Sequence, residues 1–466
     1  MIEIVELVGW ICLFILAVNL AIFLIFVAPV CSRATGATIR QFDDPRDPVP
    51  AIARAKFVSV HLAVYDEPAD VVIATLSALR QLRYPAFEVV VIDNNTPMAA
   101  TWLPVKDYCN HDARLRFFHF SDVQGAKAGA LNIALELMNP LADYVAVVDA
   151  DYQVVPEFLD IAVTECEQQG HQFVQFPQAY RGAEQALAID RELGDYFAVY
   201  SSRASDAGAM LPTGTLSLIC AATLREVGGW PSSSVTEDAE IGMRMWRMGA
   251  SGRYVDRIVG RGMLPLDLHG LRRQRHRWAA GNARTLLSHV SDGVSRWPEQ
   301  GRWSVLAQLT AWFGYGAVPL VGLAVSLGAL AVGRGASPVW PAVERLASGS
   351  LLAVLAGLVA TALLRRRLDT LPVKLALLWT SSFAWLPQLW RSATPFLRTP
   401  KVATVLPLRI SLDTGVSLFA LIMALAYVWM GHVFPALVLA CSASALVVSP
   451  FVDRTLRRAT QQQGFG

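Results

Sequence analysis

Apolar and polar positions fall into three blocks along the chain. From Leu7 to Ser32 no residue is charged, and a run longer than the roughly 20 residues that a helix needs to cross a bilayer predicts a transmembrane segment. Glu3 and Glu6 precede the run, while Arg33 and Arg40 follow it, the reverse of a signal peptide with its basic leader. The positive-inside rule then puts the N-terminus outside and the chain after Arg33 in the cytoplasm. From about residue 54 to 296 the apolar runs shorten and β-rich stretches alternate with amphipathic ones. Strands are predicted from Phe57 to Val64, Glu88 to Asp93, Arg114 to Phe120, Tyr144 to Asp149 and Phe173 to Phe176, with helical patterns from Ala69 to Leu82 and Ala128 to Met138. Such alternation predicts an α/β domain with a mainly parallel sheet and ligands at the carboxyl ends of its strands.

After Arg302 the uncharged runs return, from Ser304 to Gly333, Leu346 to Leu364 and Thr414 to Val452, the last divided by Gly431 and His432. They predict four further membrane helices, five in all. Leu375 to Trp390 is interrupted by Pro387 and flanked by Lys374 and Arg391, short for a span, and is assigned to the membrane interface. That choice keeps Arg365, Arg366, Arg367, Arg398, Lys401, Arg409, Arg454, Arg457 and Arg458 all on the cytoplasmic side. The resulting organisation is a transmembrane helix at 1–32, a cytosolic domain at 33–296, a membrane domain at 297–455 with an interfacial segment at 371–391, and a cytosolic tail at 456–466.

Composition agrees with this division. The 466 residues are 54% hydrophobic and 17% charged, apolar beyond the range of soluble domains. A net charge of +2 gives no reason to expect a nucleic acid partner. The six cysteines, at 12, 31, 109, 166, 220 and 441, form no CxxC pair, which argues against a structural zinc site or a disulfide framework and suits a reducing compartment.

Four motifs and a lysine carry candidate chemistry. Asp149-Ala-Asp151 closes a predicted strand, and two carboxylates there suit Mg²⁺ or Mn²⁺, whose remaining ligands are substrate phosphates. Asp93 ends an earlier strand, where α/β folds recognise a base or ribose, although an Asp-Asn-Asn run is also an ordinary turn. Lys127 opens a helix where backbone N–H groups and a cation meet phosphate. Thr236-Glu237-Asp238 starts an amphipathic helix that Thr236 is placed to cap, while a single carboxylate there suits a general base. Gln274-Arg-His-Arg277-Trp278 lies in a basic helix before the membrane. Arg272, Arg273 and Arg275 read as a surface attracted to anionic lipid headgroups, whereas Arg277 and Trp278 suit a diphosphate and a sugar ring.

In this order, Asp93, Asp149-x-Asp151, Thr236-Glu-Asp238 and Gln274-x-x-Arg277-Trp278 resemble the D, DxD, TED, QxxRW signature of processive family 2 glycosyltransferases, in the cellulose synthase and bacterial β-glucan synthase branch. The resemblance covers roughly residues 55 to 455. It implies an α/β GT-A (Rossmann-like) cytosolic catalytic domain embedded between transmembrane helices. It also implies UDP bound through Tyr65, Glu67 and Asp93, with Lys127 and Asp149 near the nucleotide-sugar and a divalent metal at Asp149 and Asp151. Asp238 becomes the catalytic base beside Glu237, and Gln274, Arg277 and Trp278 line the place where acceptor meets donor. Phe396-Leu-Arg-Thr399-Pro-Lys401 resembles the gating loop that covers the nucleotide.

The pattern departs from the family at Tyr65-Asp-Glu67-Pro, at Arg398 and at Thr213-Gly214, so the linkage stays open. The stretch after Val452 is too short for a cyclic-di-GMP-binding domain, and none is expected within this sequence. The implied activity is inverting, metal-dependent and processive transfer of a hexose, glucose from UDP-glucose first, onto a β-glucan exported across the cytoplasmic membrane. Transfer of a single sugar to a lipid such as ceramide or a polyprenyl phosphate, and a transporter or scaffold whose α/β domain has lost catalysis, are the other readings. The implied partners are a UDP-sugar, a polysaccharide acceptor and the bilayer, with accessory subunits or an oligomer left open.

Overall fold

In the computed structural model the described residues are 6–14, 17, 56–232, 234–313, 318–332, 339–390 and 411–462. The predicted α/β block forms a seven-stranded sheet in the order β3-β2-β1-β4-β7-β6-β8. Its members are β1 (Val58–Val64), β2 (Phe87–Asn94), β3 (Leu115–Phe120), β4 (Tyr144–Val147), β6 (Phe173–Gln175), β7 (Ser217–Cys220) and β8 (Gly252–Tyr254). All eight residues of β2 are buried, as expected of a strand covered on both faces by helices. The first four strands run parallel, but β7 pairs antiparallel with both β4 and β6. The sheet is therefore mixed. A second sheet pairs β5 (Gln153–Val154) with β9 (Gly260–Arg261).

The five predicted strands all form, within one or two residues of their expected ends. Helices α1 (Ala69–Arg80), α2 (Ala99–Cys109), α3 (Ala126–Leu137) and α4 (Phe158–Gln169) connect or follow them. Chain order puts β2 on one side of β1 and β4 on the other. This reversal opens a crevice at the carboxyl ends of the strands, where Asn94 and Asp149 lie. Beyond β6 come α5 (Leu187–Tyr196), α6 (Glu237–Arg247) and the long α7 (Leu268–Val290), which carries Gln274, Arg277 and Trp278. A π-helical turn, Phe197–Ser201, extends α5.

Among the described residues, three helices are long and apolar enough to cross a membrane: α10 (Trp340–Leu364), α12 (Leu412–Trp429) and the stretch Val433–Gln462, which divides into α13 (Val433–Ser442) and α14 (Ala445–Gln462). The expected count of five is not reproduced among the described residues. Within the described residues the run after Ser304 carries α8 (Arg302–Thr310), a 3₁₀ turn at Ala311–Phe313 and α9 (Val318–Val332). Most of the N-terminal run lies outside the described residues. The predicted break at Gly431 is present, with a left-handed φ of +77°.

The short stretch after Lys374 belongs to α11 (Leu371–Ala384). Its Val373, Ala376 and Leu377 pack with Leu268 and Leu271 of α7, while Leu378 and Trp379 pack with the apolar core of α10, α12 and α13. One helix thus belongs to both cores. Helix α14 continues past Val452 and buries Leu456 and Ala459 against the α/β domain.

Candidate active site

A cleft of about 360 Å³ opens at the carboxyl ends of β1, β2 and β4. Tyr65, Glu67, Lys127, Asp149, Asp151, Glu237, Asp238, Gln274, Arg277 and Trp278 all line it. Residues separated by more than two hundred positions in sequence therefore face one space.

Its charges are held in a specific arrangement. The Lys127 ammonium donates to Asp149 Oδ1 at 2.5 Å and to the Gly214 carbonyl at 2.7 Å, and lies 3.5 Å from Glu237 Oε1. Burial opposes its charge, but Asp149, Glu237 and Asp238 outweigh that penalty and raise its pKa. Gly125, just before α3, supplies the left-handed turn with φ +82°, where a Cβ would strike Ser232. Asp149 is fixed by its own N–H, which donates to Thr215 Oγ1 at 3.0 Å. Asp151 Oδ2 accepts from the Met263 N–H at 3.2 Å.

Among the described residues no cluster of three or more His, Cys, Asp or Glu side chains is arranged to hold a metal. Two hard carboxylates beside a cleft nevertheless fit Mg²⁺ or Mn²⁺, which completes its shell with water and substrate phosphate.

Asp238 sits in the first turn of α6. Burial and the neighbouring Glu237 push its carboxyl up to about 7, against the pull of Lys127 and of backbone N–H groups. A carboxylate tuned near neutrality suits proton abstraction at physiological pH. Thr236 does not cap this helix, as no side-chain capping bond is made, and its buried Oγ1 has no hydrogen-bond partner among the described residues. Helix α7 approaches too closely, since a Cβ at Gly281 would stand 2.5 Å from Thr236 Oγ1. That close packing brings the Gln274–Trp278 motif over Asp238.

Gln274 Oε1 accepts from the Tyr180 hydroxyl at 2.9 Å and from Arg275 Nη1 at 3.0 Å, so its amide nitrogen is the end left for the cleft. Arg277 loses some basicity to burial, which the acids at 237, 149 and 238 resist. Around Trp278 the cleft joins a smaller pocket of about 40 Å³, bounded by Leu193, Tyr196, Leu211, Asp238 and Trp312.

Three expectations need correction or fall elsewhere. Asp93 is only 1% exposed and does not line the cleft; its carboxylate accepts from Thr96 Oγ1 at 2.5 Å and pairs with His119 Nδ1 at 2.6 Å. His119 is its register partner on β3, and alternation along β2 leaves Asn94 facing the cleft instead. Arg272 and Arg275 are not a lipid-facing surface. Arg272 donates to the Ala376 carbonyl at 3.0 Å and to Ser449 Oγ at 2.8 Å, and Arg275 is 2% exposed. Helix α7 is covered by α11 and α14 on that side, which periodicity alone does not reveal. Phe396, Thr399 and Lys401 lie outside the described residues.

Other contributors carry little sequence signal. Asn95, with φ +62°, exchanges two 2.8 Å bonds with the Val123 backbone and seats the loop before Lys127. Its place in the Asp-Asn-Asn run is a usable signal. Tyr180, Gln178 and Thr215 have no local motif.

The comparisons with known proteins agree with this geometry. A model described as "Glycosyl transferase family 2" matches residues 59–226, and one described as "Glycosyl transferase family group 2" matches residues 144–440. The chain is 26% identical over 269 residues to glucomannan 4-beta-mannosyltransferase 7 of Arabidopsis thaliana, covering 53% of this chain and 47% of that protein. It is 27% identical over 251 residues to the cellulose synthase catalytic subunit (UDP-forming) of Xanthomonas axonopodis pv. citri (strain 306), covering 51% and 33%. The chain thus spans about half or less of the length of these curated relatives. The mannosyltransferase PcManGT from Pyrobaculum calidifontis, solved with GDP-Man and Mn²⁺, superimposes with a TM-score of 0.54 at 18% identity, over 84% of this chain and 99% of that one. That likeness identifies a shared GT-A fold. Since the longer family model runs through Asp149, Asp151, Thr236–Asp238 and Gln274–Trp278 and covers more than half of the chain, the protein belongs to glycosyl transferase family group 2.

Proposed function

We propose that the protein is a membrane-embedded inverting hexosyltransferase that extends a polysaccharide from a nucleotide-sugar. The observation that carries this reading is the meeting of Asp238 with Asp149, Asp151, Lys127 and Arg277 in one cleft, where burial and Glu237 raise the carboxyl of Asp238. In this reading Asp238 accepts the proton of an acceptor hydroxyl as the oxygen bonds to the anomeric carbon of the donor. The bond from that carbon to the nucleoside diphosphate breaks on the opposite face. A single base suffices for direct displacement with inversion, and Glu237 stays paired with Lys127.

Lys127 and Arg277 supply fixed positive charge toward the departing diphosphate. Asp149 and Asp151 would hold Mg²⁺ or Mn²⁺, which supplies Lewis-acid stabilisation of that leaving group when bound. Tyr65, Glu67 and Asn94 form the far wall on which the nucleoside would rest. Gln274 and Trp278 face the acceptor, the indole offering an apolar platform for a sugar ring.

Extension of a polymer is supported by the Gln274-x-x-Arg277-Trp278 motif and by likeness to a glucomannan mannosyltransferase and a cellulose synthase subunit. Those relatives make UDP-glucose and a mannosyl donor the two sugars to test. The three apolar helices and the short α11, which shares both cores, support a multi-pass protein of the cytoplasmic membrane with its cleft on the cytoplasmic side. Purified full-length protein in lipid nanodiscs, given Mg²⁺ or Mn²⁺ with UDP-glucose or GDP-mannose, should release nucleotide and form a polymer whose linkage can be analysed. A single-sugar glycolipid product would replace the polymer reading, and no nucleotide release from any donor would remove the enzymatic one.

A further inference from the structure

Behind the acceptor side of the cleft lies an ion pair that touches neither cavity. Glu192 Oε2 of α5 and Arg275 Nη2 of α7 are 2.7 Å apart, with side chains only 11% and 2% exposed. The guanidinium carbon lies 4.5 Å from the centre of the Trp278 ring and 5.0 Å from that of Trp312. Those two indoles are themselves 4.8 Å apart, tilted by 52°. Through Nη1 the same guanidinium donates to Gln274 Oε1. One buried cation therefore grips both the glutamine and the tryptophan of the Gln274-x-x-Arg277-Trp278 motif. Tyr196, on the same helix as Glu192, stacks on Trp312 at 4.7 Å and 16° and closes the assembly.

Stability alone does not call for this arrangement. Taking two charges out of water costs several kcal/mol per ion, and well-packed apolar residues of similar volume often stabilise a protein equally well. A planar, always-charged group with five donors does something that apolar packing does not, because it fixes the plane of an indole and the direction of an amide together. Lysine is a point charge without that plane.

We propose that Arg275, held by Glu192, is a positioning residue that orients Trp278 and Gln274 toward the acceptor and so governs acceptor use rather than donor binding. Both groups it orients line the main cleft, and Trp278 also lines the small pocket beside Asp238 and Trp312. The donor-side groups Lys127 and Asp149 are not among its contacts. The proposal rests on the glycosyltransferase reading, but on neither the identity of the sugar nor the length of the product.

The test separates transfer to an acceptor from hydrolysis of the same donor by water, measured on full-length protein in nanodiscs. Arg275→Lys keeps the charge opposite Glu192 and removes the plane. The double variant Arg275→Met with Glu192→Gln removes both charges and leaves neither buried alone. In both, transfer should fall at least about tenfold, the scale of one desolvated cation–π contact, through a raised acceptor KM. Nucleotide diphosphate affinity and donor hydrolysis should stay within about twofold of the wild type, because Arg275 is not in contact with the donor-side groups.

Parallel loss of transfer and hydrolysis in the variants would show a merely structural role and overturn the positioning one. Unchanged transfer in both variants would overturn it equally. A wild-type protein that neither hydrolyses nor transfers any nucleotide-sugar would instead fail the glycosyltransferase reading, an outcome that the wild type alone reveals.

Discussion

Gly214 and Asp238 approach so closely that a Cβ on the glycine would stand 2.9 Å from Asp238 Oδ2 and 3.3 Å from its Cγ. The glycine holds φ at +77°, and its carbonyl accepts from the Lys127 ammonium. One backbone position therefore seats both the candidate base and the candidate phosphate cation. Gly214→Ala adds strain of about 1–2 kcal/mol from the left-handed backbone and also displaces the carboxylate. Steady-state turnover should drop by more than about tenfold while the protein still melts cooperatively, since a shift on the order of 1 Å at a reacting group costs up to about a hundredfold. Wild-type turnover in the alanine variant would show that the contact has no catalytic consequence.

Replacing the base itself is a cleaner chemical change. Asp238→Asn keeps the shape of the side chain and removes its proton acceptor, so transfer should fall by about 10² to 10⁴ with nucleotide binding retained. Calorimetric titration with nucleoside diphosphate, alongside initial rates, checks both halves. Near-normal rates would return Asp238 to a role in starting α6.

The raised carboxyl of Asp238 sets a pH dependence with a definite sign. Only the deprotonated form accepts a proton, and its folded-state value is pushed to about 7 by burial and by Glu237. The rate should therefore fall as pH drops through 7, approaching a tenfold loss per unit below it. Lys127 is among the groups that hold this value down, so Lys127→Met should move the acidic limb to higher pH and weaken donor binding. Profiles of kcat/KM against pH for the two proteins decide the matter; a limb that stays in place, or moves to lower pH, would disconnect Lys127 from the base.

The proposed metal dependence rests on Asp149 and Asp151. Chelation with EDTA should stop transfer, and added Mg²⁺ or Mn²⁺ should restore it. Asp151→Ala should abolish transfer at any metal concentration. The same change leaves the Met263 N–H without its carboxylate partner, so a thermal melt accompanies the assay to separate unfolding from loss of metal. Activity that survives both the substitution and EDTA would sink the metal assignment.

Much of this site is legible in the amino-acid sequence, because its motifs sit where local pattern is strongest. Asp149 and Asp151 follow a continuous apolar strand, and Glu237 and Asp238 start a helix with sharp amphipathic contrast, so sequence places them at element ends that face the crevice. Arg275 shows the limit. Its spacing in a basic helix looks like a solvated or lipid-facing stripe, and only the packing of α5 and α11 against α7 shows that the guanidinium is buried with Glu192. Asp93 departs for a different reason. Its position at a strand end is plain from the pattern, but the face it takes depends on register with His119 of β3, a partner 26 residues away.

Local pattern in the amino-acid sequence carries five of the seven strands of the main sheet, the four chemical motifs and the division into a polar α/β block and apolar helical blocks. Periodicity and apolar run length act over a few turns or one strand, so a local reading recovers them. The folded arrangement set β7 antiparallel and made α11 part of both cores. It alone brought Lys127 between Asp149 and Glu237. These outcomes depend on contacts between segments tens to hundreds of residues apart, where the burial of charge and the available packing space, rather than local preference, select the arrangement.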